Sequence, residues 1–311
     1  MTIRFTGPLL AACALLALPS CDRANDPAVT AAPQVDRTFL ADNAVWRTQR
    51  RDSLLRPDGW TSLVGLHWIE LKAHYIGSSA DSGIRLAKGP PKMGLLQQQD
   101  GRLFFTPEKD TALTLDGEPL RGRVELKTDH DATPSVVGFD DGKGVMTVIQ
   151  RGDRRALRVK HADAEARTGF AGLEYWPADP SWLIDARFVP HPPGKTIEIA
   201  NITGTLDQMP NPGVVEFERD GKRHRLEALG NGDGTLFLIF ADRTSGHGSY
   251  GAGRYIDTAK PPADGRVAVD FNRAYNPPCA FTAFATCPLP PPENRLDLAI
   301  TSGEKAYAGR H

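Results

Sequence analysis

GVVEFERDGKRHRLEAL, residues 213–229, reads as two strands joined by a very short turn. Val215 and Phe217 share one face before Asp220-Gly221, and Leu226 and Ala228 share one after it, with charged residues between. A period of two marks a strand with one buried face. Asp-Gly suits a two-residue hairpin because both central positions need positive φ. The texture recurs along the chain. VMTVIQ (145–150), ALRVKH (156–161), WLIDARFVP (182–190), TIEIANITG (196–204), TLFLIFAD (235–242), RYIDT (254–258), RVAVDFN (266–272) and LDLAIT (296–301) are short β-branched runs cut by Gly, Asp and Pro. No helical period alternates with them, which argues against a doubly wound α/β sheet. The expectation is a mainly β chain whose larger part, residues 131–311, is an antiparallel barrel or sandwich.

The 311 residues are 40% apolar and 24% charged, with a formal net charge of -1. That length suffices for a sizeable core, and no basic excess points to nucleic acid. Gly 30 and Pro 25 favour many turns.

Toward the N-terminus the pattern changes. Arg37 to Arg56 lacks Gly and Pro and places Phe39, Trp46 and Leu54 at helical spacing, so one helix is expected, ended by Pro57-Asp58-Gly59. Its Arg50-Arg51 pair reads as a solvated face. From Trp60 onward, WTSLVGLHWIEL, YIGSSADSGIRL, RLFFTP and ALTLDGEPLRGRVEL read as short strands. Together with the helix they give a smaller β subdomain over residues 37–130, and His130 to Gly144 reads as a connection. The segment resembles a forkhead-associated (FHA) sandwich. Ser82-Gly83-Ile84-Arg85-Leu86 stands where that family's glycine turn and strand lie, and Leu115 to Leu120 resembles its later hairpin. Ser78 stands in place of the family's arginine, and the Ser-Arg-x-x-His signature is missing around Gly89 to Gly94. The resemblance therefore implies the sandwich shape and not phosphothreonine binding, which needs those donors.

MTIRFTGPLLAACALLALPSC opens the chain. Arg4 and the Leu9–Leu18 apolar run read as a signal peptide over residues 1–20, the run being too short to span a bilayer. Leu18-Pro19-Ser20-Cys21 resembles a bacterial lipobox. That resemblance implies acylation of Cys21, for example with palmitate, and a lipid-anchored protein on the extracytoplasmic side of a membrane. Ordinary cleavage nearby would leave a free secreted protein. Residues 21–36 read as a polar, proline-bearing tether.

Familiar catalytic motifs are missing. No P-loop, dinucleotide fingerprint or His-Glu-x-x-His occurs, and the glycines at 230, 232 and 234 sit between strands. His247-Gly248-Ser249-Tyr250-Gly251 falls short of a nucleophile elbow because His247 stands at the first glycine. No cluster has zinc-ligand spacing, so no metal is expected, and no cofactor is named by any motif.

Cys279 and Cys287 sit in NPPCAFTAFATCPLPPPENRL, residues 276–296. Outside the cytoplasm such a pair usually oxidises, so a disulfide-stapled loop is the leading expectation. A reactive thiol, free structural thiols and a metal site are the other readings. Polar residues crowd the loop and its approaches: Thr244, Tyr250, Arg254, Asp270, Asn272, Tyr275, Asn276, Glu293, Asn294, Glu304 and Lys305. Either they satisfy loop backbone groups, or they form a pocket with Phe281, Phe284 and Tyr275 as walls. In the second case Arg254 would clamp a small anion.

GLEYWPADPSWLIDARFVP, MPNPGVVEFERDGKRHRLEAL, FADRTSGHGSYGAGRY and VDFNRAYNPPCAFTAFATCPLPPPENRLDLAITSGEK together resemble domain-of-unknown-function family sixteen eighty-four of bacteria and archaea. The resemblance implies no reaction, ligand or cofactor. It does mark the Tyr250–Arg254 and Asp270–Arg295 blocks as signature segments. The functional expectation is a membrane-anchored, ligand-binding β module with its pocket beside the 270–295 loop. The alternatives are an extracytoplasmic hydrolase using Asp270 or Glu293 as general base, or Cys279 as nucleophile, and a purely structural envelope lipoprotein.

Overall fold

Asp220 and Gly221 turn the chain with φ 53 and 70, both in the left-handed region that this pair tolerates. The turn aligns Gly213–Arg219 with Lys222–Gly230 so that Phe217 faces His224 and Val215 faces Leu226. The expected hairpin is therefore present, and it is the centre of a larger sheet. In spatial order that sheet runs Arg254–Thr258, Leu236–Phe240, Lys222–Gly230, Gly213–Arg219, Leu183–Pro190, Arg266–Asp270, every neighbour antiparallel. Its two edge strands approach each other, so the sheet is a nearly closed barrel. Closure leaves little unpaired edge and a single interior to fill. Val215, Phe217, Leu226, Leu238, Phe240 and Val269 fill it around Phe271. The Phe271 ring meets Trp182, Phe217 and Phe240 at centroid distances of 5.8, 5.6 and 5.5 Å.

The computed structural model describes residues 37–309, so the leader and tether expected over residues 1–36, with Cys21, lie outside the described residues. Among the described residues no helix is long and apolar enough to cross a membrane.

Ahead of the barrel stand two further sheets. One runs Leu63–Trp68, Arg154–His161, Gly144–Arg151, Val136–Phe139, Thr114–Leu115, Glu118–Pro119. The other runs Ile84–Arg85, Ala73–Gly77, Gly94–Gln99, Arg102–Pro107, Val124–Leu126. Ile76, Leu96, Phe105, Val137, Met146 and Leu157 form one core between them. The hairpin expected at Leu115 to Leu120 is there, with Asp116 at φ 53 and Gly117 at φ 91. The expected boundary between residues 130 and 131 is not there. Strands at 136–161 pair with Leu63–Trp68 and Thr114–Leu115, so they complete the first sandwich, and the barrel begins at Leu183. All these strands carry the same period of two, and only the partner across the ladder assigns a strand to a sheet.

The expected helix spans Arg37–Leu54. Gly59 ends the turn after it, where an added Cβ would lie 2.5 Å from Leu54 O. Asn43 and Leu54 are buried, while Phe39, Trp46, Arg47 and Arg50 are half-buried. The inward stripe is thus half polar. Arg51 is solvated as expected, but Arg50 is not: it ion-pairs with fully buried Glu304.

Candidate functional site

The polar residues singled out in the sequence do not face one hollow. Arg254 is buried inside the barrel wall, where its Nη2 donates to Asp242 Oδ2 at 3.1 Å and Ile300 O at 2.9 Å. Its Nη1 donates to the carbonyls of Ser302 and Glu304. Burial holds this guanidinium below its usual pKa, with Asp242 opposing the shift. Thr244 donates to Asp242 Oδ1 at 2.7 Å and accepts from the Ser249 hydroxyl at 2.8 Å, all of it buried. Arg254 therefore pins residues 300–304 to the barrel and cannot clamp a ligand.

Asp270 caps the turn Phe271–Arg273 by accepting from Asn272 N–H at 3.0 Å, and it pairs with Arg273 at 3.1 Å. Asn272 is buried, exchanging hydrogen bonds with Asp179 N–H and C=O at 2.9 Å each. Asn294 is buried too, bonded to both backbone groups of Glu227 and to Ile239 O. Glu293 is exposed. Neither carboxylate proposed as a general base faces a cleft with a partner, so the hydrolase reading has no geometry behind it. Phe281 is fully buried and Phe284 lies at the surface, so of the expected walls only Tyr275 serves.

A second knot joins the helix to the C-terminal segment. Glu304 Oε1 accepts from Arg50 Nε at 2.8 Å, and Oε2 accepts from Asn276 N–H at 2.7 Å. Arg50 Nη2 donates to Asn276 O at 2.8 Å, and Asn276 donates to Lys305 O at 2.7 Å. Lys305 pairs loosely with Glu174 at 3.9 Å.

The expected disulfide is not formed. Cys279 and Cys287 are free, buried thiols, with Cys279 N–H donating to Cys287 Sγ at 3.0 Å. The loop does not need a covalent staple. Ile202 N–H donates to Cys287 O, Leu289 N–H to Ala200 O, and Tyr250 OH to Cys279 O, while Leu63 and Ala285 pack on the sulfurs. The thiols act as small apolar fillers. The hydrogen bond to Cys279 and burial push the Cys287 thiol well above its ordinary pKa, so it stays protonated and inert at neutral pH. Alkylation of the native protein is expected to leave both cysteines unmodified, and alkylation after denaturation without reductant to modify both. Peptide mass spectrometry reads this directly, and two unmodified cysteines after denaturation would restore the disulfide.

What the loop does line is a cleft of about 270 Å³ where helix, sandwich and barrel meet. Arg50 comes from the helix, Trp60, Arg151 and Arg158 from the sandwich, Phe237 and Tyr255 from the barrel, and Tyr275, Thr286 and Cys287 from the loop and its approach. Arg151 Nε and Arg158 Nη2 both donate to Thr286 Oγ1 at 3.0 Å. Arg151 is paired with Asp129 at 2.7 Å and Arg50 with Glu304 at 2.8 Å. Arg158 has no ion-pair partner among the described residues, and its Nε is buried without any hydrogen bond. Burial lowers the Arg158 pKa to about 10, with repulsion from Arg151 adding to the effect. A roomier cleft of about 740 Å³ lies at the barrel mouth, lined mainly by proline, glycine and Phe188. Its two lysines, Lys195 and Lys260, are exposed and so, unlike Arg158, keep their hydration. Among the described residues no three His, Cys, Asp or Glu side chains converge as a metal site.

Residues 168–305 match the family described as Protein of unknown function (DUF1684). Over these residues the chain is similar to that family. The DUF1684 segment contains the barrel, the cysteine loop, Arg254 and Glu304, whereas Arg50, Trp60, Arg151 and Arg158 precede it. The cleft is thus shared between the family segment and the part of the chain before it. A solution NMR structure of an uncharacterized protein from gene locus rrnAC0354 of Haloarcula marismortui is 31% identical, with TM-score 0.38, over 46% of this chain and 81% of that one. A search of curated proteins finds no match.

Of the eleven pocket candidates, only Tyr275 lines the cleft. Arg151, Arg158 and Trp60 escaped sequence reading because they lie more than 110 residues from the loop they meet. The one available signal was the density of arginines in QRGDRRALRVK, residues 150–160, on strands otherwise apolar.

Proposed function

We propose that the protein is a lipid-anchored, extracytoplasmic binding module that holds a small anion in the cleft between sandwich and barrel. One observation carries the reading: Arg158 is a half-buried guanidinium with no carboxylate ion-pair partner among the described residues. Removing a charge from water without pairing it is costly, and an anion from solution supplies the missing partner. Thr286 and Arg151 stand beside it as further donors.

Calorimetric titration with acetate, sulfate and phosphate tests this. A hydrogen bond to a charged group contributes about 1.5–3 kcal/mol, so Arg158→Met is expected to weaken anion binding roughly tenfold to a hundredfold. The same substitution removes an unpaired, desolvated charge, so the melting temperature is expected to hold or rise. Equal affinity in both proteins would end the proposal. The pH dependence follows from the lowered pKa. Arg158 stays protonated below about 10, so affinity for a strong-acid anion such as sulfate is flat from near neutrality to mildly basic pH and falls as pH rises through that value.

The anchor is tested separately. Each buried methylene of an acyl chain contributes about 0.8 kcal/mol, so two or more chains hold a protein firmly. Growth with labelled palmitate is expected to mark the wild-type chain, and Cys21→Ser to abolish the label. Persistence of label in that variant would exclude lipidation at Cys21.

A further inference from the structure

We infer that the ligand of this cleft is a planar aromatic monocarboxylate of one or two rings, an assignment that rests on the anion-binding reading and narrows it. Charge sets the head group. Three guanidiniums enter the cleft, Asp129 neutralises Arg151 and Glu304 neutralises Arg50, which leaves one uncompensated positive charge on Arg158. A monoanion balances that charge, whereas a dianion would bring an excess negative charge into a partly desolvated site. Geometry sets the polar end. Arg151 and Arg158 converge on Thr286 Oγ1 from two sides, so the free donors lie together rather than around the whole cleft.

The remaining wall is aromatic. Tyr255 and Tyr275 stand edge to face at 5.8 Å, and Phe237 meets Tyr255 in the same way at 4.8 Å. Both hydroxyls are already engaged: Tyr275 OH donates to Asp257 Oδ2 and Tyr255 OH to Pro288 O, each at 2.7 Å. These side chains therefore offer rings and not polar atoms. Trp60 closes the cation side, with Arg158 5.5 Å from its ring centroid. Ring faces and edges favour a flat apolar body over a branched one. The volume of about 270 Å³ lies just under the range of drug-sized sites, which limits that body to one or two rings.

The test is calorimetric titration of the full-length protein, solubilised in detergent, with acetate, benzoate, cyclohexanecarboxylate and inorganic phosphate. Benzoate is expected to bind about tenfold or more tighter than acetate, from ring burial and stacking, and tighter than cyclohexanecarboxylate. Phosphate is expected to bind most weakly. Trp60→Leu should remove most of the gain of benzoate over acetate, read as the ratio of the two affinities within each protein. Phe237→Leu probes the wall formed with Tyr255 and Tyr275, and should lower the same ratio if the first variant folds poorly. If acetate and phosphate bind but benzoate gains nothing, the aromatic assignment falls and the anion reading stands. Phosphate binding tightest overturns the monoanion count. Cyclohexanecarboxylate matching benzoate overturns the planar body. If none of the four binds, both readings fall.

Discussion

Asp242→Ala is expected to lower unfolding free energy by about 3–5 kcal/mol, because it strands a charge in the barrel wall. Neither Asp242 nor Arg254 has an exposed side chain. Asp242 Oδ2 accepts from Arg254 and also from Ile300 N–H at 2.8 Å, so its loss orphans two donors at once. Oδ1 organises Thr244 and through it Ser249. Arg254 in turn holds the carbonyls of Ile300, Ser302 and Glu304, the tail that covers the barrel. Arg254→Met removes the charge but leaves those carbonyls unsatisfied, each costing on the order of 1–3 kcal/mol. The double variant should therefore be more stable than the sum of the single losses predicts, by about 1 kcal/mol or more. Urea denaturation at neutral pH of the two single variants and the double variant measures this. A loss under about 1 kcal/mol for Asp242→Ala would mean that water reaches Arg254 and that the wall is not dry.

The second large effect is expected at Glu304. Glu304→Ala removes both the partner of Arg50 and the acceptor for Asn276 N–H, so a loss of about 3–5 kcal/mol is expected. Glu304→Gln keeps an acceptor of the same shape and gives up the charge, which limits the loss to about 1.5–3 kcal/mol. The damage should be local in its first stage. Glu304 and Arg50 are what tie the N-terminal helix to residue 276, so hydrogen exchange in Arg37–Leu54 should speed up before the barrel is affected. Uniform acceleration across helix and barrel alike would show that the knot belongs to the global fold and does not act as a hinge between parts.

The barrel hairpin was readable residue by residue. Val215, Phe217, Leu226 and Ala228 are all buried, as their alternation around Asp220-Gly221 requires. The helix start, its end near Pro57 and the Leu115–Leu120 hairpin were equally local matters. The site was not. Arg254 looked like a ligand clamp because an arginine among glycines and aromatics has the same one-dimensional appearance whether it faces a cavity or a row of carbonyls. Arg50 looked solvated because its partner, Glu304, is 254 residues away. Cys279 and Cys287 looked like a staple because spacing and compartment say nothing about how well Leu63, Ala285 and the backbone already hold the loop.

The division follows the range of the forces involved. Turn chemistry, helix breaking and the period of two act between residues a few positions apart, so the order of the amino acids settles strand, turn and helix without further help. Which sheet a strand joins, which arginine goes unpaired and where three elements leave a gap depend on contacts across a hundred residues or more. Those contacts are governed by burial and desolvation, quantities that exist only once the chain has closed on itself. The strands and turns of the barrel were therefore written in the local pattern, and its closure and the cationic cleft came into being with the packing of helix, sandwich and loop.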